Sequence, residues 1–528
     1  MMAGGRRSEY RDPRMSTQPV LHWETGCEYH VGFVFSLAFL AGLGSFLRGY
    51  EVGLMGGLLK AVGREFDLDT FQIQFIVSVQ LLAAIVGALT GGEFADFVGR
   101  KWSILVYLLL FTMGSVLMMI SEGFWMLVLA RCTTGLGAGM SINVSGLYLA
   151  EIAPRRIRGT ITTMNAVCVH TGPFIGYLVS YALHRRDVDT NDNWRFGYLS
   201  EAVLASSLWL LSYIFLPRSP YWLLTRGLNA EAEKIVNQRV KESDFLKRIG
   251  IINRIMATMK ADMNQEPATW KETICDSANI YPLLLGCGLA SVSQLVGVEA
   301  MLIYSSFTLS KMGVGETDSV LVGTMLAFSI LLAAVITTFI VDIPSIGRRT
   351  PLLIGAAGVA LASIILGVCA GGGISSGYSA TAFVVWGLCY GFGYASVVYA
   401  VTPEIFAGGY RSKSVAIAGA VTRLSAFCVS MSYLYVAQSS IGLAGTFYTF
   451  GAVATLGFAF CMVSVPDLTH TNIGDYAKNP NAYSPAQRFS RSRRAGGKEN
   501  EDGDFKLYEF EGNDEDEDET HGLLLSRG

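Results

Sequence analysis

Hydrophobic and polar positions alternate along this chain in long blocks. Apolar runs of roughly 20 residues or more are separated by polar segments, and a helix of about 20 apolar residues is long enough to cross a bilayer. The runs cover 31–59, 72–95, 102–121, 124–148, 159–183, 196–216, 281–306, 319–342, 350–371, 379–402, 413–437 and 442–465. The pattern predicts an all-α membrane protein with twelve transmembrane helices.

The runs form two sets of six, which divides the chain into five parts. We expect an N-terminal tail, a six-helix bundle, a polar linker with short helices, a second six-helix bundle and a polar tail. Their boundaries are 1–30, 31–216, 217–280, 281–465 and 466–528. The last part is strongly acidic near its end and too polar to form a core, so we expect it to be disordered.

A charged pattern recurs at corresponding points of the two halves, where apolar runs end. In each half an Asp precedes a Gly and a basic pair, and later a Glu stands seven residues before an Arg. The residues are Asp96, Arg100, Glu151 and Arg158, then Asp342, Arg348, Glu404 and Arg411. Duplicated halves are typical of transporters that expose a central site to each side of the membrane in turn. We expect these residues to form a cytoplasmic gate, because carboxylates and Arg side chains make strong hydrogen bonds at partly desolvated helix ends.

Basic residues are concentrated in alternate loops, which predicts the orientation of the chain. The loops with Arg100, Arg158, Arg348 and Arg411 all fall on one side of the predicted spans. By the positive-inside rule this side, the linker and both termini are cytoplasmic. No short apolar core with a small-residue cleavage site precedes the first run, so no cleaved signal peptide is expected.

The composition excludes other broad classes of protein. With 51% hydrophobic and only 16% charged residues, the chain is too apolar for a set of soluble domains. It shows no metal-ligand spacing, phosphate-binding loop or paired nucleophile and base. We therefore expect no enzyme activity, no bound cofactor and no nucleic-acid partner. The expected partners are the lipid bilayer and a small-molecule solute.

Three segments at the ends of or inside predicted spans stand out as motifs: residues 92–101 (GEFADFVGRK), 148–159 (YLAEIAPRRIRG) and 294–305 (QLVGVEAMLIYS). They resemble signatures of the sugar porter family of the major facilitator superfamily. The first is similar to the superfamily signature between spans two and three, and the other two resemble the family motifs after span four and in span seven. The resemblance implies two pseudo-symmetric six-helix bundles that rock about a central solute site.

Four ionisable residues inside predicted spans stand out, since a charge there costs about 2.5–3.5 kcal/mol on insertion scales. They are Glu51, Arg131, Glu299 and Arg423. Glu51 resembles the first-span acid of proton-coupled sugar porters, and Arg131 matches the family arginine of span four. The resemblance implies that protonation of Glu51 releases Arg131, with the proton as coupling ion. Two alternatives stay open: a permanent salt bridge between them, and pairing of Glu51 with Arg48 one turn away.

The predicted solute site departs from the family pattern. Sugar porters bind hydroxyl groups with neutral amides and an indole, because amides both donate and accept hydrogen bonds. Of those amides only Gln294 is retained, and Glu299 and Arg423 replace neutral groups. The candidate solute-binding residues are His170, Ser293, Gln294, Glu299, Tyr304, Tyr399, Thr422 and Arg423. Glu299 and Arg423 either recognise charge on the solute or pair with each other, and His170 either lines the site or has a structural role.

The sequence thus predicts a transporter of a small polar solute, with a proton-coupled sugar or polyol carrier as the favoured function. One alternative is an organic anion or zwitterion carrier that uses Arg423 and Glu299. Another is a nutrient transceptor that signals through its tail. Glu519, Leu523 and Leu524 fit an acidic dileucine pattern, which sorting adaptors bind. This pattern favours the plasma membrane or an endosomal, lysosomal or vacuolar membrane.

Overall fold

The fold is known from a computed structural model. It describes residues 31–152, 158–185, 193–238, 245–263, 268–341, 346–372, 375–406 and 409–465, and regular structure within these ranges is helical. The predictions for the two tails, 1–30 and 466–528, lie outside the described residues.

Six long helices form the first half of the chain. They are α1 (Val31–Glu65), α2 (Thr70–Val98), α3 (Arg100–Met119), α4 (Phe124–Ile152), α5 (Arg158–Arg185) and α6 (Asn193–Phe215). The turn between α1 and α2 ends in a capping box, in which Asp69 accepts from the backbone N–H of Gln72 at 2.7 Å and Gln72 accepts from that of Asp69 at 3.0 Å. This reciprocal bonding fixes the start of α2.

Four helices lie in the described part of the linker. They are α7 (Pro220–Thr225), α8 (Asn229–Asn237), α9 (Phe245–Met263) and α10 (Trp270–Cys275). The first three pack around a small core of their own that includes Leu223, Val236 and Met256. We call the end of the molecule that carries these helices the linker face, and the end where α1 turns into α2 the opposite face.

The second half follows the same plan with three interruptions. Its helices are α11 (Ser277–Leu295), α12 (Val298–Ile303), α13 (Ser305–Lys311), α14 (Glu316–Ile340), α15 (Arg349–Gly371), α16 (Ser376–Tyr390), α17 (Ser396–Ile405), α18 (Arg411–Gln438) and α19 (Gly442–Ser464). The predicted span 281–306 corresponds to the apolar segment Ser277–Ile303, within which the helix breaks at Gly297, whose φ of 96° favours glycine. A second break at Tyr304 separates α12 from α13. A π-helical segment, Gly391–Ala395, separates α16 from α17. All three interruptions lie in spans that contain candidate solute-binding residues.

Ten helical segments of the described chain are long and apolar enough to cross a membrane, with α11–α12 and α16–α17 each taken as one segment. The long helices α1 and α4 are not among them. Each carries a buried charged residue, Glu51 or Arg131. With these two, the helices correspond to the twelve predicted spans.

Glycines let α1 and α5 approach closely. A Cβ atom at Gly53 would lie under 3.0 Å from the carbonyl oxygen of Pro173, and one at Gly172 would lie as close to that of Phe46. Small residues at such spacing are typical of tightly packed membrane helices. Because Glu51 lies roughly half a turn from Gly53, its side chain points away from α5 towards α2 and α4.

Candidate functional site

A buried ion pair joins α1 to α4. Arg131 Nη1 lies 2.6 Å from Glu51 Oε1, and both side chains are 1% exposed. Thr134 Oγ1 donates to the same carboxylate oxygen at 2.6 Å, and Gln80 Nε2 donates to the other. Arg131 Nε also donates to the carbonyl oxygen of Ile76 at 3.4 Å. These extra hydrogen bonds are what allow two opposite charges to be buried together.

The surroundings of this pair are dry and tightly packed. A Cβ atom at Gly135, one turn after Arg131, would lie under 3.0 Å from the backbone of Gln80, so α2 and α4 touch here. The gap beside the pair, lined in part by Met118 and Tyr198, is too narrow to admit a water molecule. Arg131 Nη2 has no hydrogen-bond partner. The pair is therefore sealed from solvent in this conformation.

A second buried carboxyl group lies beside the pair, and the sequence analysis missed it. Glu201 on α6 is 0% exposed, and it interacts electrostatically with Glu51 and Arg131. Neither of its oxygens has a hydrogen-bond partner, because the nearby Ser115 hydroxyl donates to Phe111 O at 2.8 Å. The sequence contains the signal for it, since Glu201 is an acid inside the predicted span 196–216, and such acids indicate function. Burying an unpaired carboxylate costs several kcal/mol, so a group placed here needs a reason to be ionisable.

Arg48 is not the partner of Glu51. It interacts electrostatically with the hydroxyl of Tyr399 on α17, in the second half of the chain. Glu51 is instead bound by Arg131. The structure thus shows the pairing of Glu51 with Arg131, and not the alternative pairing with Arg48.

A second ion pair joins α12 to α18 of the second half. Arg423 Nη1 lies 3.1 Å from Glu299 Oε1, and the two side chains are 6% and 10% exposed. The pair is incompletely bonded, because Glu299 Oε2 and Arg423 Nε have no partner. Gln294 Oε1, on the neighbouring α11, has none either. Of the two alternatives for Glu299 and Arg423, the structure shows that they pair with each other. Each still has a polar atom without a partner, which could bind a ligand.

Other candidate solute-binding residues already use their polar groups. Ser293 and Thr422 each donate to a carbonyl of their own helix at 2.8 Å. Tyr304 donates to the carbonyl oxygen of Ser430 at 3.0 Å. His170 Nε2 lies 3.2 Å from a carbonyl oxygen of the π-helical segment. Among the candidate solute-binding residues, the buried polar atoms without a partner are those of Gln294, Glu299 and Arg423.

Three of the predicted gate residues form one network at the linker face. Arg100 Nη2 lies 2.8 Å from Glu151 Oε1, and Arg100 Nη1 lies 2.8 Å from Asp96 Oδ1. Arg100 Nε donates to both oxygens of Glu151, at 2.9 and 3.1 Å. The hydroxyl of Ser219, which caps α7, also donates to Glu151. The network braces α2, α3, α4 and the linker within the first half of the chain.

The remaining gate residues are only partly described. Arg348 caps the start of α15, and Arg411 opens α18, where its Nε donates to the carbonyl oxygen of Phe406 at 3.4 Å. Asp342 and the side chains of Arg158 and Glu404 lie outside the described residues.

The two halves of the chain are hydrogen-bonded to each other at the opposite face. Ser306 Oγ donates to the carbonyl oxygen of Gly56 at 2.9 Å. The hydroxyls of Tyr177 and Ser305 lie 2.7 Å apart, and Lys60 Nζ donates to a hydroxyl of α13 at 2.5 Å. These contacts hold α1 and α5 against α12 and α13, and they close the opposite face.

At the linker face the halves are connected through α10. Trp270 Nε1 on α10 donates to Glu93 Oε1 on α2 at 2.6 Å. Lys413 of α18 lies over the ring of Trp270, 5.6 Å from its centroid, and donates to the carbonyl oxygen of Ala268 at 2.6 Å. A linker helix thus contacts both halves on this side, whereas at the opposite face the bundle helices contact each other directly.

Comparisons with known proteins identify the family. A model of the sugar (and other) transporter family matches residues 37–477. Probable metabolite transport protein CsbC of Bacillus subtilis is 30% identical over 441 residues, which cover 82% of this chain and 91% of that protein. Probable polyol transporter 4 of Arabidopsis thaliana is 26% identical over 442 residues, or 82% of each chain.

Solved structures show the same architecture. The xylose transporter XylE from E. coli, in a partially occluded inward open conformation, matches with a TM-score of 0.72. It is 21% identical, and the match covers 84% of this chain and 100% of XylE. The predicted fold of twelve helices in two six-helix bundles is confirmed, as is the expectation of a transporter rather than an enzyme. The chain belongs to the sugar (and other) transporter family and is a multi-pass membrane transporter.

Proposed function

We propose that the protein moves a small polyhydroxylated solute, a sugar or a polyol, across a membrane together with a proton. The observation that carries the proposal is the buried Glu51–Arg131 ion pair with Glu201 beside it. Ionisable groups buried at this depth are a hallmark of proton relays in transporters. The names of relatives support the solute class, since they include polyol transporters and the glucose transporter GlcP of Staphylococcus epidermidis. XylE is named as a proton:xylose symporter.

Protonation of Glu51 couples the proton to helix movement. As a carboxylate, Glu51 attracts Arg131 and holds α1 to α4. A proton neutralises this charge and weakens the attraction, so α1 becomes free to shift against α4. Gly56, whose carbonyl oxygen binds the second half at the opposite face, lies five residues further along the same helix, about 7.5 Å away along its axis. A shift of α1 therefore acts directly on the contacts that close this face.

The solute binds between the halves at the unused polar atoms of the α12–α18 ion pair. Glu299 Oε2 and Gln294 Oε1 accept hydrogen bonds from hydroxyl groups, and Arg423 Nε donates one. Filling these positions satisfies buried groups whose unpaired state costs about 1–3 kcal/mol each. This gain in binding free energy is largest for a solute with several hydroxyl groups.

The basic loops support a cytoplasmic linker face and cytoplasmic termini. Because the contacts between the halves close the opposite face, we propose that the described conformation faces the cytoplasm; the XylE structure it matches is named as partially occluded and inward open. We further propose that Glu519, Leu523 and Leu524, which lie outside the described residues, bind a sorting adaptor. Such an adaptor would direct the protein from the plasma membrane to an endosomal, lysosomal or vacuolar membrane.

Uptake into proteoliposomes tests the proposal. Labelled hexoses and polyols are offered with and without an inward proton gradient. We expect at least one to accumulate only with the gradient. Glu51→Gln should abolish accumulation and keep solute exchange at equal concentrations, whereas Glu231→Gln, at an exposed site on α8, should behave as wild type. Gradient-driven accumulation by Glu51→Gln at the wild-type level would refute proton coupling through Glu51.

A further inference from the structure

Arg48 brings a buried positive charge to the centre of the protein. The residue is 8% exposed and interacts electrostatically with the hydroxyl of Tyr399 across the two halves. The neighbouring carboxylates Glu51 and Glu299 are paired with other arginines. A neutral hydroxyl does not balance the charge of a guanidinium, so neither Tyr399 nor these two carboxylates, among the residues that the structure describes, neutralises Arg48.

The charges around Tyr399 add up to a net positive site. Arg48, Arg423 and Glu299 all interact electrostatically with its hydroxyl. Two arginines and one glutamate leave one positive charge in excess. An excess charge among membrane-spanning helices is costly unless a partner offsets it. The site is therefore complementary to one negative charge.

Tyr399 also marks where a ligand has access. Its side chain is 39% exposed although Arg48, Arg423 and Glu299 around it are buried. The exposed part of the ring is thus an accessible surface beside buried charges. A ligand that contacts this surface lies next to Arg48 of the first half and Arg423 of the second.

The unpartnered atoms of the site define the rest of the ligand. Arg423 Nε is a charged donor without an acceptor, which suits a carboxylate oxygen. Glu299 Oε2 and Gln294 Oε1 are acceptors without donors, which suits hydroxyl groups. An anionic group at one end and hydroxyl groups at the other satisfy all three.

We propose that the preferred solute is a polyhydroxylated monocarboxylate, that is, a sugar acid. Its carboxylate is bound by Arg48 and Arg423, and its hydroxyl groups donate to Glu299 and Gln294. This inference rests on the proposed proton-coupled transport of a polyhydroxylated solute and narrows its solute class. Because the carboxylate contacts α1 and α18 together, its binding links the two halves of the carrier.

The charge carried in one transport cycle follows from this assignment. One proton and one monoanion move no net charge, whereas one proton and a neutral sugar move one positive charge. A membrane potential then drives uptake of a neutral solute and leaves uptake of a sugar acid unaffected.

The experiment uses the full chain in proteoliposomes with an inward proton gradient. Labelled D-glucuronate and D-gluconate are compared with D-glucose and myo-inositol, with and without an inside-negative potassium diffusion potential. We expect an acid to be taken up in preference to its neutral counterpart, at a rate that the potential changes less than twofold. Arg48→Gln should raise the KM for the acid about 10- to 100-fold, the loss of one charge-assisted hydrogen bond. Arg48→Lys should raise it less, and the exposed-site variant Arg218→Gln should match wild type.

The outcomes separate the two proposals. Neutral solutes taken up faster under the potential, with no uptake of or competition by the acids, would overturn the sugar-acid assignment and leave proton-coupled transport standing. Uptake of none of the four compounds would count against both. Size-exclusion profiles show whether the Arg48→Gln variant is folded. If it is not, the competition and membrane-potential measurements on the wild-type protein test the sugar-acid assignment.

Discussion

Replacing Gly56 by Trp is expected to hold the opposite face open. Gly56 on α1 lies against α12, where an added Cβ atom would meet the carbonyl oxygen of Leu302 at 2.5 Å, against an ordinary contact distance of at least 3.4 Å. The same atom would also overlap the hydroxyl of Tyr177. A backbone carbonyl cannot turn aside as a flexible side chain can, so the two halves must separate to admit an indole.

The size of the effect follows from the hydrogen bonds lost on separation. The closed face has the Ser306–Gly56, Tyr177–Ser305 and Lys60–α13 bonds, each contributing about 1 kcal/mol. Together they amount to about 3 kcal/mol, which is about a 100-fold change in the ratio of closed to open molecules. Ser306→Ala removes one bond alone and should change the ratio about fivefold.

Distances between spin labels across the opposite face measure this ratio. Asp67, in the turn after α1, and Asp318, in the first turn of α14, are exposed and accept labels as cysteines in a cysteine-free background. In Gly56→Trp the longer distance should dominate and uptake should cease. Gly377→Trp is the matched control, since no atom lies within 4 Å of a Cβ atom there. A wild-type distance distribution in Gly56→Trp would refute the closing role of these contacts.

Three further predictions concern charged groups. Arg131→Met leaves Glu51 buried without its partner, at a cost of about 3–5 kcal/mol. Its thermal unfolding temperature should fall more than that of the Arg131→Met, Glu51→Gln double variant, and an equal fall would contradict the ion pair. Arg100→Gln breaks the linker-face network and should cost about 2 kcal/mol of stability; an unchanged unfolding temperature would contradict this. The Tyr410 hydroxyl donates to Asp276 and holds the pKa of that carboxyl below its usual range. A carboxyl whose pKa is lower in the folded than in the unfolded protein stabilises the fold above the unfolded pKa, and this effect is lost as the pH falls through the folded pKa. Tyr410→Phe should therefore be destabilising at pH 7. Well below about pH 4 its stability should equal that of wild type. A stability difference that persists in acid would show that another interaction is responsible.

The fold was predictable because the bilayer sets the length of apolar segments. Each of the twelve runs corresponds to a helix or a broken helix. The break at Gly297 was not predictable from hydropathy, because α11 and α12 are apolar on both sides of it. Its cause is a single backbone dihedral angle, which a hydropathy pattern does not register.

The site was predictable where a buried charge marks it. Glu51 and Arg131 stood out because charges are rare in spans, and by the same rule Glu201 should have been included. The partner of Arg48 was not predictable, since Glu51 one turn away and Tyr399 in the other half were both within possible reach until the packing of α1 was known. The contacts that close the opposite face are made by hydroxyl groups and backbone carbonyls, which leave no charged pattern in the sequence.

The central claim is that a proton crosses with each solute molecule and that Glu51 carries it. Proton and solute influx measured in the same proteoliposomes, with a trapped pH indicator and a labelled solute, tests this most directly. The account predicts a ratio of about one proton per solute, with proton influx lost in Glu51→Gln while solute exchange continues. Solute influx without proton movement in the wild-type protein, or the wild-type ratio in Glu51→Gln, would contradict it.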